Sequence, residues 1–230
     1  MKEVDLKPFE LDYFAQEAYK ILRTNIEFSG DDNQVIVLTS CQPSEGKSTT
    51  SLQLALSLEE KGEKVLYIDT DMRKSVLSGK FRTHGKIEGL SHLLAGKSEV
   101  SDVLYKVSGK NLVTIFAGVV PPNPAELLGK KKFESLITSA RKVYDHIIID
   151  APPIGSVIDA AIVAKVCDSA ILVIESGAIS RKFASAVKDQ LERSGCPILG
   201  VVLNKTDRAT NGYYGKSNKY YGKYYGHEEQ

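Results

Sequence analysis

Val35-Ile36-Val37-Leu38, followed by Cys41-Gln42-Pro43-Ser44-Glu45-Gly46-Lys47-Ser48-Thr49, decides how the 230-residue chain is read. An apolar strand runs into a tight turn, and a helical pattern opens near Thr50. Such a helix start leaves unpaired N–H groups and a positive dipole end, which together suit an anion. The stretch therefore reads as a phosphate-binding loop, with Ser44, Glu45, Gly46, Lys47, Ser48 and Thr49 as the candidate contacts. Gly46 lets the backbone close on a phosphate, Lys47 can reach the outer phosphates, and the Ser48 hydroxyl can ligate Mg²⁺. Cys41 stands where the general G-x-x-x-x-G-K-[ST] pattern has glycine.

Outward from this loop, strand and helix alternate. Leu52 to Leu58 forms a helix ended by Gly62. Val65-Leu66-Tyr67-Ile68 is a strand closed by Asp69-Thr70-Asp71-Met72-Arg73. Helical patterns follow at Leu90–Ala95 and Val100–Lys106, a strand at Leu112–Phe116, and a helix at Lys131–Val143 after a proline-rich loop. His146-Ile147-Ile148-Ile149 lacks apolar/polar alternation, as a strand covered on both faces should. Val157–Val166 reads as helix, Ala170–Ile174 as strand, Lys182–Arg193 as helix and Ile198–Leu203 as the last strand. The fold class expected is α/β, a mostly parallel sheet with helices on both faces. Ligands in such sheets bind at the carboxyl ends of the strands. The loop, the acids at 69 and 71, Asp150 and Asn204 all follow strands. Before the first of these strands, residues 12–28 form an amphipathic helix with Phe14, Ala18, Ile21, Leu22 and Ile26 as its docking face.

Composition excludes several classes. Thirty Lys and Arg against 29 Asp and Glu give a net charge of +1, so no basic field draws nucleic acid. Three scattered cysteines suit a reducing compartment rather than a disulfide framework. The four histidines form no ligand set. The first ten residues are charged and do not read as a signal peptide, and no run approaches a membrane span.

The acids carry the chemistry. Asp150 ends its strand where a Walker B carboxylate would hold Mg²⁺. Asp69 and Asp71, two apart in an extended segment, are expected to face one side, one binding metal and the other accepting a proton from an attacking hydroxyl. Arg73 either stabilises developing phosphoryl charge or forms a structural ion pair. Asn204-Lys205-Thr206-Asp207 spells the N-K-x-D guanine pattern, although a strand-ending Asn204 also suits adenine. Residues 1–207 are read as one nucleotide-binding domain. Residues 208–230 are read as a flexible tail holding Tyr213, Tyr214, Tyr220, Tyr221, Tyr224 and Tyr225 among Gly, Lys, Ser and Asn.

Taken together, these motifs resemble the bacterial tyrosine kinases (BY-kinases) of capsule and exopolysaccharide assembly, in the Gram-positive stand-alone form. The resemblance spans nearly the whole chain and is made specific by the tyrosine cluster. It implies a P-loop NTPase fold of the MinD/ParA type, with ATP and Mg²⁺ as cofactors. Lys47 would bind the phosphates, Ser48, Asp69 and Asp150 would serve the metal, and Asp69, with Asp71 beside it, would activate the tyrosine hydroxyl. The tail tyrosines would be autophosphorylated. Glu17, Lys20 and Arg23 match the family's oligomerisation motif E-x-x-R-x-x-R, with Lys in place of the first Arg. The implied partners are further copies in a ring, a transmembrane polysaccharide co-polymerase adaptor that recruits the cytoplasmic chain to the plasma membrane's inner face, and a protein-tyrosine phosphatase. The rival readings are a partitioning or division-site ATPase switch, a GTPase reading guanine through Asn204-Lys205-Thr206-Asp207, and an RNA-binding protein stacking bases on the tyrosine tail. The first usually carries a second lysine early in its loop, where this chain has Gln42 and Pro43.

Overall fold

In the computed structural model, residues 1–8, 10–30, 32–83, 85 and 87–206 are described; the expected tyrosine tail and Asp207 lie outside them. Among the described residues nine strands form one sheet: β1 (Lys2–Leu6), β2 (Val35–Ser40), β3 (Val65–Asp69), β4 (Phe81–Arg82), β5 (Tyr105–Val107), β6 (Leu112–Ile115), β7 (His146–Asp150), β8 (Ser169–Glu175) and β9 (Ile198–Asn204). Their order is β4-β1-β5-β6-β3-β7-β2-β8-β9. From β6 to β9 every neighbouring pair is parallel, whereas β5–β6 and β1–β4 run antiparallel.

Alternate residues of the central strands feed two cores, because successive side chains on a strand point to opposite faces. Val35, Val37, Leu66, Ile68, Ile147 and Ile149 face one side. There they meet α3 (Leu90–Leu94), α5 (Pro124–Leu128), α6 (Lys131–Ala140), α7 (Asp159–Ala164) and α8 (Arg181–Glu192). Ile36, Leu38, Tyr67 and Ile148 face α2 (Lys47–Glu60) and the end of α1 (Tyr13–Phe28) on the other. The short helix α4 (Val100–Val103) precedes β5. Isoleucines 147, 148 and 149 are fully buried, as their unbroken apolar run requires.

The structure corrects four local expectations. Val100–Lys106 is not one helix: it stops at Val103, and Tyr105–Val107 becomes a strand wedged between β1 and β6. β1 escapes the sequence reading because its charged residues hide a strand in which only Val4 is buried. The helix expected over 157–166 begins only at Asp159, since the Ile154 N–H is bonded back to Ser40 and Thr39 of β2. On α1, Phe14, Ala18 and Ile21 are exposed, and the inward stripe runs through Ala15, Tyr19, Leu22, Arg23 and Ile26. The partner surface sets that rotation: Arg23 donates to the Ser57 carbonyl of α2, and Tyr19 bonds Thr50.

Candidate phosphoryl-transfer site

The site is assembled by sheet register. β3 and β7 are paired so that Asp69 lies opposite Asp150 at their carboxyl ends. Both follow an isoleucine that points to the α3–α8 side, so both point to the α2 side, where the first residue of α2 is Lys47. Its ammonium lies 3.2 Å from Asp71 Oδ2 and 3.4 Å from Asp150 Oδ1, and donates to Ser48 Oγ at 3.2 Å.

Asp71 arrives differently from expectation. The strand ends at Asp69 and the chain turns, with the Met72 N–H bonded to the Thr70 carbonyl. Within that turn the Asp71 N–H donates to Asp69 Oδ1 at 2.9 Å. Convergence of the two acids thus comes from a turn and not from the two-residue period of a strand.

Electrostatics follow from burial. Removal from water raises the Asp69 pKa to about 8, and the neighbouring Asp150 charge adds to the rise. Burial also raises the pKa of Asp150, against the opposing pull of Lys47. For Lys47 burial disfavours the charge, but Asp150, Asp71 and Asp69 outweigh it and hold the pKa above the ordinary lysine value. The cluster carries more carboxylate than its one lysine neutralises, in a site that supplies only oxygen donors. Such a donor set fits Mg²⁺, which binds through one or two carboxylates and completes its shell with phosphate oxygens and water. Ser48, Asp69 and Asp150 are the residues that would hold it. Among the described residues no three His, Cys, Asp or Glu side chains form a ready-made metal cluster.

Two glycines set close approaches around the loop. Gly46 has φ +93°, and a Cβ there would lie 2.0 Å from the Asn204 amide. A Cβ on Gly155 would lie 2.1 Å from the Cys41 carbonyl. Asn204 Nδ2 donates to the Glu45 carbonyl at 2.9 Å. The Glu45 carboxylate accepts from the Gln42 N–H at 2.8 Å and the Glu175 N–H at 3.3 Å. The Glu45 side chain, in the loop expected to contact phosphate, is buried and braces that loop.

Arg73, expected among the catalytic residues, donates twice to the buried Asp159 at 2.8 and 3.0 Å. Of the two roles open to it, the geometry is that of a structural ion pair joining the turn after β3 to α7. Glu17 and Lys20 pair with each other at 2.7 Å on the solvent side of α1, while Arg23 turns inward onto α2. Sequence reasoning missed Ser75, whose hydroxyl donates to Asp69 Oδ2 at 2.5 Å. It also missed Thr70, which donates to the Asp150 carbonyl, and Lys80, which donates to Thr49 Oγ1 at 3.1 Å. Ser75 and Lys80 lie in no motif, Thr70 lies within one without a role of its own, and only their fold neighbours reveal what they do.

This sheet order, loop and acid pair define a P-loop nucleotide-binding domain, and a family model described as "AAA domain" matches residues 33–193. The chain is 44% identical over 206 residues to the tyrosine-protein kinase CpsD of Streptococcus agalactiae, covering 89% of this chain and 90% of that protein. It therefore belongs to the family of bacterial tyrosine-protein kinases. Among solved structures, the chimerical protein CapA2B2 superposes with a TM-score of 0.81 at 31% identity, covering 90% of this chain and 94% of that one. The septum site-determining protein MinD of Pyrococcus horikoshii, solved with Mg-ADP, superposes with a TM-score of 0.64 at 28% identity over 77% of this chain and 72% of that one. The MinD-type fold expected from the sequence is thus shown, and no described helix is long and apolar enough to cross a membrane.

Proposed function

We propose that the chain transfers the γ-phosphoryl group of ATP to tyrosine hydroxyls, its own C-terminal cluster among them, in capsular or exopolysaccharide synthesis. The observation that carries this reading is Lys47 held between Asp71 and Asp150 beside a buried Asp69 of raised pKa, in a chain of the tyrosine-kinase family. The tyrosine oxygen attacks the γ-phosphorus, its proton passes to the Asp69 carboxylate, and the bond to the β,γ-bridging oxygen breaks to release ADP. A pKa of about 8 makes the ionised Asp69 a stronger base than an ordinary carboxylate, which suits it to that proton transfer. Lys47, released from its carboxylates by the incoming phosphates, stabilises the charge that develops on the transferring group. Bound Mg²⁺ supplies further neutralisation of the phosphate oxygens.

Residues 208–230, with their six tyrosines, form the acceptor segment in this reading. It begins just beyond β9, whose Asn204 touches the phosphate loop. Transfer between subunits of a ring belongs to the same reading. An adaptor tail would activate the chain and bring it to the membrane, and a phosphatase would reset it. Intact-mass measurement after incubation with Mg-ATP or Mg-GTP, with and without an adaptor tail peptide, tests the reading. Additions of 80 Da steps per phosphate (about 80 by the mass of HPO₃, one per modified tyrosine) are expected with ATP. Unmodified protein accumulating ADP would support the ATPase switch, and modification or preferential binding with the guanine nucleotide would overturn the base assignment.

A further inference from the structure

The Asn204-Lys205 pair, which reads in sequence as half of a guanine motif, has another use in the fold. Lys205 Nζ donates to the Ser44 carbonyl at 2.9 Å and to Glu175 Oε2 at 2.8 Å. Among the described residues, Ser44 (φ +69°) and Lys205 (φ +52°) are the two non-glycine residues with positive φ. The two left-handed residues are therefore tied to each other across the loop. A side chain in that region carries a steric cost and persists only where its surroundings enforce it. Here the register of β8 and β9 supplies the enforcement, because it sets Glu175 opposite Asn204, next to Lys205. Glu175 holds the Lys205 ammonium with its carboxylate and the Glu45 carboxylate with its N–H.

We propose that Lys205 is a positioning residue of the phosphate loop: with Glu175 as its anchor, it clasps the Ser44 carbonyl and keeps the loop in its phosphate-receiving conformation. The loop is then braced at Ser44 by Lys205 and at Glu45 by Asn204, one residue ahead of Gly46. Without the clasp Ser44 relaxes toward negative φ, and the N–H groups that follow turn away from the phosphates. Lys205 acts in this account through the backbone, with no contact to the nucleotide required of it.

The test is a mutant cycle on the full chain, read by titration calorimetry with Mg-ADP and with adenosine as a phosphate-free probe. Lys205→Met should weaken Mg-ADP binding about fivefold to tenfold, the size of one lost hydrogen bond with a partly exposed ion pair, and leave adenosine binding as it was. Lys205→Arg should recover part of the loss, and Glu175→Gln should give a smaller loss in the same direction. The decisive arm uses Ser44→Gly, since glycine holds positive φ without steric cost. In that background Lys205→Met should have a clearly smaller effect than in the wild type. An undiminished effect would mean that Lys205 binds the nucleotide directly, and unchanged Mg-ADP affinity or an equal loss for adenosine would also overturn the proposal. Neither Mg-ADP nor adenosine carries a transferable γ-phosphoryl group, so binding is read without any transfer and these outcomes stand apart from the kinase assignment.

Discussion

Two sets of ion pairs in this molecule have similar N–O distances and behave differently. At the carboxyl edge of the sheet, Lys47 lies among Asp71, Asp150 and Asp69, all buried. On α1, Lys20 meets Glu17 at a shorter 2.7 Å, but in solvent. Water screens the second pair and pays nothing to leave it, so its attraction is offset by the freedom it costs two long side chains. The first cluster has lost its water, and each charge there depends on the others. Burial, and not the N–O distance, separates a site that can do chemistry from a surface that stays soluble.

Removing the cation from the buried cluster should show the largest effect. Lys47→Met is expected to reduce tyrosine phosphorylation at least about a hundredfold, a range found when charge stabilisation is removed from a transfer step. It should also lower the melting temperature of the nucleotide-free protein, because Asp71 and Asp150 lose their partner. Near wild-type phosphotyrosine would show that Lys47 does not carry the transferring charge.

Asp69→Asn sharpens the comparison because it separates catalysis from stability. Phosphorylation should fall by about a hundredfold, the size of a lost general base, with a smaller change in nucleotide affinity. Equal losses in both would make Asp69 chiefly a metal or nucleotide ligand. Stability should move the other way. The folded pKa of Asp69 lies above its unfolded value, so folding favours its protonated form, and the associated stability is present at low pH and lost as pH rises toward about 8. The amide removes that penalty. The variant should therefore melt higher than the wild type, with a gap that widens between pH 5 and pH 8 in thermal scans without nucleotide.

The smallest effect is expected on α1. Lys20→Ala breaks the exposed pair and should leave the melting temperature within error of the wild type. A drop comparable to that of Lys47→Met would mean the pair is buried by a neighbour in solution, which light scattering on the same samples would detect.

The phosphate loop, the acids and most of the alternating strands were legible in the residues alone. The unbroken apolar run at 147–149 announces a strand covered on both faces, and the order strand, Gly46-Lys47-Ser48, helix announces a phosphate cradle. These are local patterns, written within a few residues of each other. β1 was not legible, because three of its five residues are charged and only Val4 and the partly buried Leu6 reach the core. The rotation of α1 was not, because its periodicity allows neighbouring faces and the contacts of Tyr19 and Arg23 with α2 choose between them. Arg73 shows the same limit: its residue type permits either role, and Asp159, 86 positions away in the chain, selects the ion pair. Lys205 shows it again, for its left-handed backbone and its grip on Ser44 arise from a partner 161 positions distant. Sequence by itself determined which chemical groups are available and the strand ends that carry them. Tertiary structure decided which of those groups lose their water together, and that loss of water is what makes them interact strongly.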